Sequence, residues 1–202
     1  MRRTKEEAAK TRATLLKVAL TLFSANGYAS TSIDDITKAA KLTRGALYHH
    51  FHSKADLYNT LVEEVSARGA DIVQSAVAEG GAFTEILKRI FVRQLAYIEE
   101  NKEARAVIEL ALFKTGLHPE LQAGRERQIE IGKVMVDGIA EAMKVGISSG
   151  ELRKDVSPKE MALSFIAFQN GVIQLWLASP KSFSLKGSAD TFADVLIHGL
   201  KR

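Results

Sequence analysis

Ser32-Ile33-Asp34-Asp35-Ile36-Thr37-Lys38-Ala39-Ala40-Lys41-Leu42-Thr43-Arg44-Gly45-Ala46-Leu47-Tyr48-His49-His50-Phe51 holds two short helical patterns on either side of a three-residue break. Ser32 with Asp35 three residues later has the spacing of a capping box, and Ile33, Ile36, Thr37 and Ala40 then recur at helical intervals for about two turns. Lys41-Leu42-Thr43 interrupts the pattern, and Thr43 can cap a second short helix running to about His50. Two helices joined in this way have the build of a helix-turn-helix unit, whose second helix enters the major groove of DNA with its N-terminal residues foremost. Here those residues are Thr43, Arg44, Gly45 and Ala46, followed by Tyr48 and His49. Small residues permit close approach, Arg44 supplies positive charge, and hydroxyls can donate to phosphate. Any basic helical hairpin shares this spacing, so spacing alone leaves both readings open.

Outward from this segment the chain reads as helix throughout. Leu15, Val18, Ala19, Leu22 and Phe23 form an apolar stripe over residues 5–26, which Asn26-Gly27 ends. Ser53 and Asp56 repeat the capping-box spacing before a long helix carrying Leu57, Leu61 and Val65 towards Gly80-Gly81, about 26 residues or roughly 39 Å. Phe83, Leu87, Ile90, Phe91, Gln94, Leu95 and Ile98 make a further stripe. An apolar helix around Val107–Leu117 follows, closed by Gly116 and Pro119, and a long one over about Glu120–Ser148. Ser157-Pro158 with Glu160 opens a helix that lacks charge from residue 161 to 180, and the last helix holds Phe192, Val195 and Leu196. The expected fold is all-α with about nine helices: a three-helix DNA-binding domain over residues 1–52, joined by a long helix to a helical bundle within 53–202.

Charge divides the same way. Residues 1–60 of the 202 carry ten Lys/Arg against five Asp/Glu, and the remainder eighteen against nineteen. A basic front on a near-neutral body suits an anionic partner, either nucleic acid or a membrane surface. Zero cysteines exclude disulfides, thiolate nucleophiles and Cys-ligated zinc, and fit a cytoplasmic location. Met1-Arg2-Arg3-Thr4-Lys5 begins like a signal peptide, but Glu6, Glu7, Lys10 and Arg12 interrupt before any apolar region forms. The uncharged stretch 161–180 approaches the length of a membrane span, yet it contains Ser164, Gln169, Asn170, Gly171, Gln174 and Pro180, which favours a helix buried among protein neighbours.

His49, His50 and His52 lie within four residues but have no acidic or cysteine companion, so no metal site is expected. His118 and His198 are isolated, and no phosphate loop, dinucleotide fingerprint, HExxH or GxSxG motif occurs, so neither catalysis nor a cofactor is expected. Two classes remain: a DNA-binding regulator, and a non-enzymatic helical ligand carrier docking on anionic membranes through Lys5, Lys10, Arg12 and Lys17. The carrier would leave the capped hairpin at 32–51 without a purpose.

Phe23, Gly27-Tyr28, Thr31-Ser32, Ile36, Ala39-Ala40, Thr43-Arg44-Gly45, Leu47-Tyr48, His50-Phe51, Ser53-Lys54 and Leu57 together resemble the N-terminal signature of the TetR family of bacterial transcriptional regulators. Arg3-Thr4-Lys5-Glu6-Glu7-Ala8 and Thr43-Arg44-Gly45-Ala46-Leu47-Tyr48 are most similar to the AcrR-type multidrug-efflux repressors. Gly150-Glu151-Leu152, Asp155-Val156-Ser157-Pro158 and residues 176–183 extend the likeness more weakly. The resemblance implies a homodimeric repressor on a palindromic operator, released by a small hydrophobic or cationic inducer. It places Thr31, Ser32, Thr43, Tyr48, His49 and Lys54 at phosphates, and Arg44 with Gly45 at bases. It implies a ligand cavity in the bundle, for which Phe91, Leu95, Ile98, Ile108, Leu112, Phe113, Met135, Phe165 and Phe168 are apolar candidates. Gln94, Glu109, Gln169 and Asn170 are the polar ones, and Glu109 would suit a cation. A dimer seam is expected at Phe192, Val195 and Leu196, beside the uncharged helix. One departure stands out: the family usually has glycine after Ala40, where this chain has Lys41, which would be strained in a left-handed conformation.

Overall fold

The computed structural model describes residues 5–201, so Arg3 and Thr4 of the opening resemblance lie outside the described residues. Among those residues there are nine α-helices and no strand, apart from an isolated bridge between Leu152 and Lys201. The helices are α1 (Lys5–Asn26), α2 (Ile33–Ala40), α3 (Arg44–Tyr48), α4 (Lys54–Ala78), α5 (Phe83–Glu100), α6 (Lys102–Glu109), α7 (Gln122–Ser148), α8 (Pro158–Ala178) and α9 (Leu185–Leu200). The all-α expectation holds. The apolar helix expected around 107–117 differs in detail: α6 ends at Glu109 and the chain widens into a π-turn over Leu110–Lys114 before a 3₁₀ turn at Pro119–Leu121.

Packing divides the chain into two compact units, Met1–Ala67 with Glu103–Arg125, and Arg68–Lys102 with Glu126–Arg202. In the first, α1 buries Leu15, Leu16, Ala19, Leu20 and Phe23. It ends at Gly27, whose φ of 80° is open to glycine without strain and whose N–H donates to the Phe23 carbonyl at 2.8 Å. Ile36 of α2, Leu47 of α3, Phe51, and Leu57 and Tyr58 of α4 complete the cluster. Val107, Leu110 and Leu121, from the segment 103–125, join the same core. That segment is also tied by polar contacts: Lys114 Nζ donates to the Ser24 carbonyl at 3.1 Å, and the Thr115 and Tyr58 hydroxyls lie 3.1 Å apart in a buried hydrogen bond.

In the second unit α5 and α9 pack along their lengths. Lys88 bridges to Asp194 at 2.7 Å and Asp190 at 3.4 Å, and Glu99 receives the Ser184 hydroxyl at the start of α9. Glu151 reaches across the sequence to the start of α5, accepting the N–H groups of Phe83 and Thr84 at 3.0 Å each. Those two bonds, that from Thr84 foremost, hold its carboxyl below the usual carboxylate range. Gly146 is needed for close packing, since a Cβ there would lie 2.8 Å from Leu152 Cδ1. The uncharged helix α8 is long and apolar enough to cross a membrane, by length and composition. Phe165, Val172, Ile173, Trp176 and Leu177 are nevertheless buried within the protein, while Leu163 and Leu175 are exposed.

The caps expected from sequence are present at Ser32, Thr43, Ser53 and Ser157, each accepting the backbone N–H three residues on at 3.0–3.2 Å. Each contributes about 1 kcal/mol. Lys41 closes α2 in the left-handed conformation, with φ 55° and ψ 41°, and Lys41 N–H and Leu42 N–H return to the carbonyls of Lys38 and Thr37. Lysine therefore stands where glycine would be relaxed, at a penalty of about 1 kcal/mol. Lys41→Gly is expected to raise the melting temperature by about 2–4 °C in a thermal melt followed by circular dichroism; an unchanged or lower value would mean that the lysine side chain offsets the backbone strain.

Candidate nucleic-acid interface

α2 and α3 present one side to the core and the other to solvent. Leu47 is fully buried, whereas Thr43, Arg44, Gly45, Tyr48 and His49 of the same short helix and its caps are exposed. Tyr48 keeps 49% of its surface exposed, unusual for an aromatic residue with a buried neighbour. A Cβ at Gly45 would meet only Thr43 Oγ1, at an ordinary van der Waals distance of 3.9 Å. No internal contact requires glycine there. An alanine would favour the helix by about 0.5–1 kcal/mol, so packing within the protein does not account for the glycine. Thr43 uses its hydroxyl oxygen to cap Ala46 N–H at 3.1 Å. Ser32 is exposed, with its hydroxyl donating to Asp35 Oδ2 at 2.6 Å.

Arg44 forms an ion pair with Asp34 of α2, Nε to Oδ1 at 2.9 Å, with both side chains about two-thirds exposed. Sequence reasoning missed Asp34: it lies ten residues from Arg44 and on another helix, and no spacing rule links the two. His49 and His50 stack edge-on with centroids 5.1 Å apart, and His50 also meets the Phe51 ring.

Two of the expected phosphate contacts are placed otherwise. Thr31 is 1% exposed and donates its hydroxyl to the Gly27 carbonyl at 2.9 Å, so it ties the end of α1 and cannot reach phosphate. Lys54 is turned inward: its ammonium donates to the Tyr28 carbonyl at 3.1 Å, lies 4.2 Å from the centre of the Tyr28 ring and pairs with Glu120 at 3.7 Å. Burial and the Glu120 carboxylate together raise the Tyr28 hydroxyl far above its ordinary range, so it stays protonated.

The ligand candidates fall in both units. In the second, Phe91 packs edge-on against Phe165 at 5.8 Å and tilted against Phe168 at 5.9 Å, with Leu95 and Ile98 buried beside it in α5. Gln169 donates to Gln94 Oε1 at 2.6 Å, a polar pair on the same two helices as those rings. Asn170 and Met135 are exposed. Ile108, Glu109, Leu112 and Phe113 belong to the first unit, where Glu109 pairs with Lys114 at 2.8 Å and Leu112 and Phe113 are exposed. At the expected seam, Phe192 and Leu196 are both half-buried, the Phe192 ring lying 6.5 Å from that of Phe168 and 5.9 Å from that of Phe183. Val195 is 61% exposed. Among the described residues no group of three acidic or histidine side chains is placed to hold a metal ion.

Residues 15–61 match the family described as bacterial regulatory proteins, tetR family, and residues 83–202 match the C-terminal region of MAATS-type transcriptional repressors. The chain is 31% identical over 198 residues to the HTH-type transcriptional regulator AcrR of Shigella flexneri, an alignment covering 97% of this chain and 92% of that protein. In fold it is similar to NalD, the secondary repressor of the MexAB-OprM multidrug efflux pump of Pseudomonas aeruginosa, with a TM-score of 0.87, 23% identity, and 98% and 99% of the two chains covered. It is also similar to SmeT of Stenotrophomonas maltophilia, whose structure is known as a triclosan complex, with a TM-score of 0.81, 22% identity, and 96% and 92% covered. The relatives are transcriptional regulators, which sets aside the membrane-docking carrier and any catalytic reading. With a family match over more than half its length, and with an exposed, capped recognition helix at the expected place, the chain belongs to the TetR family and is a DNA-binding transcriptional repressor.

Proposed function

We propose that the protein represses as a homodimer on a palindromic operator and is released by a small hydrophobic ligand, controlling a multidrug-efflux operon as NalD and SmeT do. Residues 1–52 carry the DNA contacts and residues 53–202 the ligand and dimer functions. The observation that carries the DNA reading is α3 itself, where a buried Leu47 fixes the helix and Arg44, Gly45 and Tyr48 face outward. Arg44 reads a guanine by two parallel N–H donors, Gly45 admits the base edge, and Ser32, Thr43, Tyr48 and His49 hold phosphates.

Dimerisation is supported by what α8 and α9 leave uncovered. Leu175 is 68% exposed and Leu163 and Val195 are also open to water, interspersed with the small exposed residues Ala167, Gly171 and Ala178 of α8. A two-fold pairing through these residues of α8 and α9 sets two recognition helices about 34–36 Å apart for successive major grooves. The ring cluster of Phe91, Phe165 and Phe168 with the Gln94–Gln169 pair favours a neutral aromatic ligand able to hydrogen-bond. Glu109 is already answered by Lys114, which weakens the cationic alternative. α4 and α7 each run from one compact unit into the other, giving a displacement in the ligand-binding part a continuous backbone through which to act.

Three outcomes follow. In fluorescence anisotropy at about 0.15 M salt, the full chain is expected to prefer the duplex upstream of its own gene over a scrambled one by at least about a thousandfold, and Arg44→Ala is expected to lose about 1–3 kcal/mol of that preference. Triclosan, the ligand bound to SmeT, is expected to weaken operator binding by about 5–150-fold, the range of ordinary coupling; equal affinity with and without it, in the presence of measured binding, would exclude this compound as an inducer. Sedimentation at micromolar concentration is expected to show a dimer, which Leu175→Asp shifts towards monomer while the helical circular dichroism is retained.

A further inference from the structure

α2 begins with two adjacent aspartates that do different work. Asp35 closes the capping box, accepting the Ser32 backbone N–H at 2.9 Å and the Ser32 hydroxyl at 2.6 Å. Asp34 is not needed for that cap. It is exposed and turned to Arg44, with Oδ1 at 2.9 Å from Nε. A carboxylate on the DNA-facing side of a helix-turn-helix unit is electrostatically adverse, because the phosphate backbone repels it and the affinity of the whole surface rests on cations. Within 32–51 the two aspartates offset most of the charge of Lys38, Lys41 and Arg44.

From this arrangement, and resting on Arg44 as the base-reading residue proposed above, we infer that Asp34 is a specificity-determining positioning residue that orients the Arg44 guanidinium for guanine. Asp34 Oδ1 approaches the guanidinium at Nε, and the Nη1 and Nη2 groups form the fork whose donors match guanine O6 and N7. Free arginine has a long, flexible side chain and can follow a phosphate as readily as a base. A carboxylate behind it narrows those choices. It also makes release to a neighbouring phosphate less favourable, since the released aspartate would then face the backbone alone. In solvent the exposed pair is weak. Once DNA excludes water from around it, the same pair strengthens, because the local dielectric falls. Asp34 thus acts against general DNA affinity and in favour of one base.

The test uses the full chain on a randomised duplex library to obtain the preferred sequence, followed by anisotropy on that duplex and on its single-base variants. For Asp34→Asn the preference for guanine at the Arg44-dependent position is expected to fall about tenfold, while binding to mismatched duplexes stays equal or tightens. In an Arg44→Ala background Asp34→Asn is expected to change discrimination no further. Unchanged discrimination in Asp34→Asn overturns the inference, as does a uniform gain on every duplex. A uniform loss, or a smaller salt slope, signals a folding or docking defect and overturns it too. The Arg44→Ala arm separates the two levels: if that variant keeps full discrimination at every base pair, the reading of Arg44 itself has failed; if it loses discrimination and Asp34→Asn does not, only the role of Asp34 has.

Discussion

A five-residue helix does not hold itself together in water, because nucleation orders several residues for very little hydrogen bonding and isolated helices below about 12 residues are marginal. α3 has five residues and α2 has eight. Their existence depends on what they bury and on how their ends are capped. Ile36, Leu47 and Phe51 are essentially inaccessible to solvent and share one core with Phe23, Tyr28 and Leu57. The Thr43 hydroxyl oxygen accepts the Ala46 N–H at the start of α3, and Ser32 and Asp35 accept each other's backbone N–H at the start of α2. Because one face is fully committed to the core, the opposite face has a defined direction. That rigidity is what lets Arg44, Gly45 and Tyr48 be presented together.

The support under this helix-turn-helix unit reaches well beyond the first sixty residues. Val107, Leu110 and Leu121 fill the same core, and a set of polar links accompanies them: Lys114 to the Ser24 carbonyl, Thr115 to Tyr58, Glu120 to Lys54, and His118 stacked 5.5 Å from Tyr28. Gly124 belongs to this close packing, since a Cβ there would lie 2.8 Å from the Asn59 amide. A boundary at residue 52 is the proposed division of roles. The packing does not respect it, and the segment 103–125 is structurally part of the unit that carries α2 and α3. Any change in that segment is felt directly by the core that fixes α2 and α3.

Polar residues in the first unit fall into two groups with different consequences. Thr31, Tyr58, Thr115 and Lys54 are turned inward and bonded to protein, so they act on stability and orientation. Ser32, Thr43, Arg44, Tyr48 and His49 are exposed, where an external phosphate or base edge can compete for them. Lys54 shows how much the distinction matters: at 17% exposure, with a ring beneath it and a carboxylate beside it, the ammonium holds the start of α4 against Tyr28 and Glu120.

Local rules made much of this protein legible. The caps at Ser32, Thr43, Ser53 and Ser157, the end of α1 at Gly27 and the uncharged α8 opened by Pro158 each follow from residues within one turn of one another, and the structure places all of them as the sequence indicated. Family resemblance supplied the chain's broad role from contiguous motifs. Side-chain orientation and partnership were not legible, because they join residues distant in sequence. Thr31 and Ser32 are adjacent hydroxyl residues, yet one lies buried under the end of α1 and the other is exposed at a cap. Phe192 and Val195 share one apolar stripe in sequence, but only packing against Phe168 and Phe183 decides that the first is half-buried and the second is open. Helix signals are carried by hydrogen bonds between near neighbours, so the sequence by itself determined the elements and their ends; ion pairs such as Arg44 with Asp34 and Lys54 with Glu120 arise when separate helices meet, so only the tertiary structure decided which polar groups stand open to solvent and which are already engaged.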